Sequence, residues 1–242
     1  MADNFATAKG CDLSVFQGDV DFSKVKKNAD FAILRAGYGR LSSQKDEKFE
    51  TYYNGCEANG IDKGVYWYSY AMSEDEARQE AAACLECIKG KRFEYPIYYD
   101  VEESKQFALG KEKLGAIIKA FLDTVEKAGY WVGLYSSSSA LDSYIPDNIK
   151  TRYAVWVAHW GVSKPTYGGS YGMWQFTDKG NLDGINGAVD LDTAYIDYPS
   201  EIKKHGLNGY TYNSGESKPA CKKISVSVTI DGETYKGELT NG

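Results

Sequence analysis

The sequence predicts an α/β fold: an irregular, TIM-like barrel of mostly parallel strands with a C-terminal β-hairpin extension. Three observations predict it. Strand-like and helix-like segments alternate with short connections up to residue 136, the pattern of parallel strands wrapped by helices. Beyond that point strand-like runs follow one another with little helix between them. A complete eightfold barrel takes about 250 residues, so a 242-residue chain with a compositionally distinct tail has room only for an incomplete or irregular one.

The elements follow in order. Residues 10–14 read as a short strand ending in Cys11-Asp12-Leu13-Ser14. Residues 22–28 carry a helical pattern, and residues 31–36 a second strand bounded by Gly37 and Gly39. Residues 46–59 form an amphipathic helix closed by Gly60, since glycine readily takes the left-handed conformation after a helix. Residues 63–70 are a third strand. Ser73 and Glu76 have the spacing of a capping box and open a helix to about residue 89. Residues 95–102 are a fourth strand, residues 110–128 a helix closed by Gly129, and residues 131–136 a fifth strand. Runs at 153–160, 172–177 and 188–192 complete the strand set. From Pro199 the composition turns linker-like. Residues 223–230 then alternate at period two, Asp231-Gly232 signals a hairpin turn, and residues 233–239 return. This divides the chain into a domain over residues 1–198 and a linker with hairpin over 199–242.

Composition narrows the function. The net charge is −6, and no Lys/Arg cluster forms a nucleic-acid patch. No stretch is long and apolar enough for membrane insertion. The N-terminus lacks a signal-peptide pattern, so synthesis in the cytoplasm is expected. Five cysteines, an odd number without framework spacing, suit a reduced compartment. Cys84 and Cys87 form a C-x-x-C in a helical stretch without a second pair. With only two histidines in the chain, no metal site and no cofactor are expected. The 20 Tyr, 9 Phe and 5 Trp suit sugar binding, because ring faces stack on sugar C–H groups. Core packing is the plainer use of any one of them.

Barrels of parallel strands carry catalytic groups at the strand C-termini. Acids stand there: Asp12 after the first strand, Asp100 and Glu102 at the fourth, Asp190 and Asp192 at a late one. Alternation puts Asp100 and Glu102 on one face. Crowded carboxylates raise the pKa of at least one member. Glycoside hydrolysis needs that combination, a protonated acid beside an ionised carboxylate. A strand-end acid otherwise serves as a helix cap, a role that suits Asp12 better than Glu102. A divalent-metal phosphodiesterase is a rival use of such acids, but it would want a histidine nearby.

The motifs together resemble glycoside hydrolase family 25, the Chalaropsis-type lysozymes. Asp12-Leu-Ser-Val-Phe-Gln-Gly-Asp-Val-Asp-Phe is similar to the family's opening motif. Gly64-Val-Tyr-Trp-Tyr-Ser-Tyr is similar to its third strand, with Trp67 where histidine is common. Asp100-Val101-Glu102 is similar to its catalytic D-x-E, and Met173-Trp-Gln-Phe-Thr and Gly184-Ile-Asn-Gly-Ala-Val-Asp-Leu-Asp continue the pattern in order. The likeness spans residues 8–198.

This resemblance implies an irregular, flattened (β/α)5β3 barrel that hydrolyses the β-1,4 bond between N-acetylmuramic acid and N-acetylglucosamine in peptidoglycan glycan strands. It implies Glu102 as acid catalyst with Asp12, Asp100 and Asp190 assisting; Asp192 shares the face of Asp190 and leaves the register there open. Arg35, Tyr66, Tyr68, Tyr135, Trp160 and Trp174 are candidate sugar contacts. A phage endolysin and a secreted bacterial autolysin both fit. The rival from another class is a non-catalytic peptidoglycan-binding module, which would need the aromatics but not the acids.

Overall fold

The structure is a computed structural model that describes residues 7–212 and the strands at 224–230 and 233–239. Eight strands close into a barrel in chain order. They are β1 (Ala8–Leu13), β2 (Phe31–Tyr38), β3 (Asp62–Tyr68), β4 (Ile97–Asp100), β5 (Val132–Ser137), β6 (Ala154–Ala158), β7 (Met173–Gly180) and β8 (Val189–Ala194). Neighbours from β1 to β7 pair in parallel. Only β8 runs the other way, antiparallel to both β7 and β1. Helices α1 (Phe22–Val25), α2 (Phe49–Asn59), α3 (Glu74–Ile88), α4 (Ser104–Phe107) and α5 (Lys111–Lys127) fill the connections up to β5. The short α6 (Ser138–Ser143) and α7 (Asp147–Lys150) lead into β6, and no helix separates β6, β7 and β8. Five strand–helix units followed by three strands is the arrangement the family resemblance implies.

Period-two alternation sorts the strand residues into two layers. Outward residues such as Leu13, Leu34, Val65, Trp67, Tyr99 and Leu134 pack against the helices, including Ile117 and Phe121 of α5. Each fully buried side chain of this kind contributes about 1.5–3 kcal/mol. Inward residues, among them Phe31, Ile33, Tyr98, Tyr135, Trp156 and Met173, fill the barrel. Glycine makes room for these rings. A Cβ on Gly10 would stand 2.4 Å from the Phe31 ring, and one on Gly133 2.5 Å from Tyr98.

Several local expectations change. Helix α2 begins at Phe49 rather than at residue 46, because Asp46 leaves the helix to hold the loop. Its Oδ1 accepts from Lys48 N–H and its Oδ2 from Val15 N–H. Gly60 closes α2 at φ 63°, as expected. Ser73 caps α3 by accepting from Glu76 N–H, but the Glu76 carboxylate reaches Met72 N–H instead of completing the box. Strand β4 stops at Asp100, which leaves Glu102 in the turn before α4.

The compact unit runs to Thr211, beyond the composition shift at Pro199. Helix α8 (Tyr198–His205) is amphipathic: Tyr198 and Ile202 pack with the inward-facing cluster, while its charged residues face out. After it, the buried Asn208 accepts from Trp131 N–H at 2.7 Å and donates to the Tyr95 carbonyl at 2.8 Å. A second unit, Tyr212–Gly242, contains strands β9 (Ile224–Ile230) and β10 (Glu233–Leu239), paired antiparallel with Ile230 opposite Glu233. The Asp231-Gly232 turn lies outside the described residues. No helix among the described residues is long and apolar enough to cross a membrane.

Candidate active site

The acids converge at the end of the barrel where the parallel strands finish. Asp12 lies on β1 and Asp100 closes β4, both nearly buried. The pair Asp190 and Asp192 does not end a strand, as the sequence suggests, but opens one. Because β8 is antiparallel, its first residues reach the same mouth as the last residues of its neighbours. Asp190 stands directly opposite Asp12, and Asp192 sits one step deeper, opposite Gly10.

Their environments differ. Asp12 accepts from Gln175 Nε2 at 2.7 Å. Burial pushes its pKa well up, Asp192 and Asp190 add to the rise, and the Gln175 bond opposes it. Asp190 is half-buried and pushed up to about 6, by burial first and then by Asp178. Asp192 is fully buried and accepts from Trp156 Nε1 at 2.9 Å. Burial raises it too, against the pull of the Trp156 bond. Asp100 is raised by burial, then by Glu102, while Arg35 pulls it down. Its Oδ1 has no hydrogen-bond partner among the described residues.

Glu102 differs in being exposed. It lines a cleft, yet desolvation dominates the environment of its carboxyl. It is therefore reachable yet poorly solvated, and its pKa rises. Desolvation is the largest cause, the nearby Tyr135 hydroxyl works against it, and Asp190 and Glu103 add to the rise. A carboxyl held toward its neutral form beside buried acids can deliver a proton and leave negative charge behind.

The candidate sugar contacts divide. Arg35 is inward on β2, its Nε on Asp46 at 2.6 Å and its guanidinium 5.0 Å above the exposed Phe16 ring. Tyr66 lies inside, edge-on to Trp156. Tyr68 donates to Glu103 at 2.9 Å. Arg35, Tyr38, Tyr68 and Tyr70 line one cleft of about 650 Å³. Tyr135 and the half-exposed Trp160 both donate to Gln175 Oε1, at 2.8 and 2.9 Å. Trp160 and Glu102 line a second cleft of about 510 Å³. Trp174 is not brought to either cleft. Gln175 points inward, so alternation turns Trp174 out of the barrel, where it packs on Phe176 and donates to the His159 carbonyl.

Sequence reasoning missed Gln175, whose one amide joins Asp12, Tyr135 and Trp160. The signal was available, because Met173 and Gln175 alternate with Trp174 on one strand. It also missed Asp46, which holds Arg35. A third omission is a buried chain behind β4. Glu80 accepts from Tyr99 Oη at 2.6 Å and from Tyr70 N–H at 2.8 Å, Ser69 Oγ donates to Tyr99, and Gln106 Nε2 donates to Ser69.

Comparison with known proteins places the chain in a family. The family model for glycosyl hydrolases family 25 matches residues 11–185. The chain is 28% identical to the autolytic lysozyme of Clostridium acetobutylicum, over 76% of this chain and 55% of that protein. It is similar in structure to the modular autolysin LytC from Streptococcus pneumoniae, with TM-score 0.67 and 31% identity over 78% of this chain and 47% of that one. The CTP1L endolysin superposes with TM-score 0.72 and 28% identity, over 81% of this chain and 69% of that one. The chain thus spans about half the length of the first two of these relatives.

Proposed function

The chain belongs to glycosyl hydrolases family 25, and on that premise we propose that it is a lysozyme cutting the β-1,4 bond between N-acetylmuramic acid and N-acetylglucosamine in bacterial peptidoglycan. The names of its relatives support this, as does the solved complex of LytC with a synthetic peptidoglycan ligand. The observation that carries the reading is Glu102, an exposed carboxyl with a raised pKa beside the buried Asp100.

In this mechanism Glu102 donates its proton to the departing glycosidic oxygen. Positive charge grows at the anomeric carbon, and Asp100, Asp12 and Asp190 provide the negative field that stabilises it. The N-acetyl oxygen of the N-acetylmuramic acid then attacks the anomeric carbon as the protonated oxygen departs, and a water adds to that carbon, reopens the ring and returns a proton to Glu102, one of the exceptions to the two-carboxylate scheme. Arg35, Tyr66, Tyr68, Tyr135 and Trp160 contact the glycan. The catalytic unit includes α8, since Tyr198 and Ile202 belong to the inward-facing cluster. The place of action is the cell wall, reached as an endolysin or as a secreted autolysin.

Mass analysis of the muropeptides released from purified walls tests the bond assignment. Fragments ending in reducing N-acetylmuramic acid support it. Fragments ending in reducing N-acetylglucosamine refute it.

A further inference from the structure

The cleft beside β5 and β6 is lined by Glu102, Ser137, Ser138, His159, Trp160 and Thr166. Of the five acids at the mouth, Glu102 alone lines it. An acid catalyst stands at the departing oxygen, and the carboxylates that stabilise positive charge stand under the sugar left behind. The cleft that shares only the acid is therefore the place for the departing sugar.

The His159 ring is oriented in this cleft by its neighbours. Its Nδ1 accepts from the backbone N–H of Thr166 at 3.2 Å. An amide N–H can only donate, so Nδ1 acts as the acceptor in this bond and the ring's N–H is the one on Nε2. The Thr166 hydroxyl lies 3.3 Å from the same nitrogen and also contacts Ser138 Oγ at 3.1 Å. The backbone of His159 is pinned as well. Its N–H donates to the Gln175 carbonyl at 3.1 Å, and its carbonyl accepts from Trp174 at 2.9 Å. Among the described residues nothing accepts from Nε2. Next to it Trp160 is 47% exposed, with its indole N–H tied to Gln175, so a ring face is held in place at the cleft.

An aromatic face beside one oriented N–H donor matches an N-acetylated sugar, which offers a C–H face for stacking and an acetamide carbonyl as acceptor. We propose that His159, held as the Nε2–H tautomer by Thr166, donates to the acetamide carbonyl of the departing N-acetylglucosamine and so positions that sugar as the leaving group. The assignment rests on the muramidase reading above.

The test compares two substrates: purified peptidoglycan, and the same peptidoglycan with its glucosamine residues de-N-acetylated. His159→Leu should lower kcat/KM on the native glycan about 10-fold, the effect of losing one neutral hydrogen bond. On the deacetylated glycan, which lacks the acceptor, wild type and His159→Leu should converge to within about twofold. His159→Gln keeps an N–H donor at similar reach and should recover most of the loss. An equal loss on both glycans, or none on the native one, overturns the proposal. Wild-type protein that leaves native glycan uncut overturns the muramidase reading, and this proposal with it.

Discussion

Asp12 on β1 faces Asp190 on β8 directly across the antiparallel pair that closes the barrel. Like charges placed opposite one another on a sheet are destabilising, and here a third carboxyl, Asp192, lies one step below. Burial and mutual repulsion move their pKa values up, so that the three carboxyls do not all ionise together as readily as isolated ones would.

This has a consequence for stability. A carboxyl with a higher pKa in the folded chain than in the unfolded one binds its proton more tightly when folded. Its contribution is present at low pH and is lost as pH rises through the folded value. For Asp190 that window runs from the ordinary carboxylate range up to about 6. Melting temperature should therefore fall as pH rises from 5 to 7.5. Asp192→Asn removes the deepest of the three titrating carboxyls while keeping an acceptor for Trp156. It should gain about 1 kcal/mol at pH 7.5, or roughly 2–4 °C in a domain of this size. Calorimetry that finds Asp192→Asn unchanged or less stable at pH 7.5 would count against this account of the cluster.

The pH dependence of the rate should respond to two substitutions in opposite directions. Activity requires protonated Glu102, so the rate falls as pH climbs past its raised pKa. Asp190 helps to raise that pKa and Tyr135 lowers it. Asp190→Asn should thus move the alkaline limb of the kcat/KM profile to lower pH, and Tyr135→Phe should move it to higher pH. Shifts in one common direction would contradict the assignment of Glu102 as the titrating acid.

Gln175 joins three site residues through a single amide. Gln175→Leu leaves Asp12 and the Tyr135 hydroxyl without their partners inside the barrel, at a cost of about 1–3 kcal/mol for each buried group left unpaired. It should lower the melting temperature by several degrees and slow wall lysis strongly. Denaturation and turbidity measurements on the same sample check both effects.

The site was legible where alternation alone decides direction. Asp12, Asp100 and Asp190 occupy inward positions of strands whose period is clear, so their convergence follows once the strands are placed. Legibility failed where direction or tertiary contact decides. Trp174 reads as a cleft aromatic until its neighbour Gln175 is seen to be the inward residue. The reversal of β8 leaves no local signal, because strand direction depends on how the connection returns. Asp46 lies among helix-forming residues, but its place is set by Arg35, a contact made by folding. In sequence the α8 segment reads as linker, because Glu201, Lys203, Lys204 and His205 dominate its composition and Tyr198 and Ile202 are its buried residues.

Behind β4, the chain from Glu80 through Tyr99 and Ser69 to Gln106 ties the β3–α3 turn to α4. Gln106 N–H also holds the Glu103 carbonyl, one residue from Glu102. Glu80→Ala leaves the Tyr99 hydroxyl proton and Tyr70 N–H without acceptors, at about 1–3 kcal/mol each. The expected result is a lower melting temperature together with a reduced kcat, because the turn carrying Glu102 loses its backing. An unchanged kcat in the folded variant would show that this chain only stabilises the fold.

The central claim is that Glu102 is the acid that breaks the glycosidic bond. Glu102→Gln keeps the size and exposure of the side chain and removes its transferable proton. Turbidity loss of purified cell walls, followed for wild type and this variant at equal concentration and with melting temperatures matched, measures the difference directly. The account predicts a fall of at least about 100-fold, the low end of what a positioned general acid contributes. Near-normal lysis by a folded Glu102→Gln protein would contradict it.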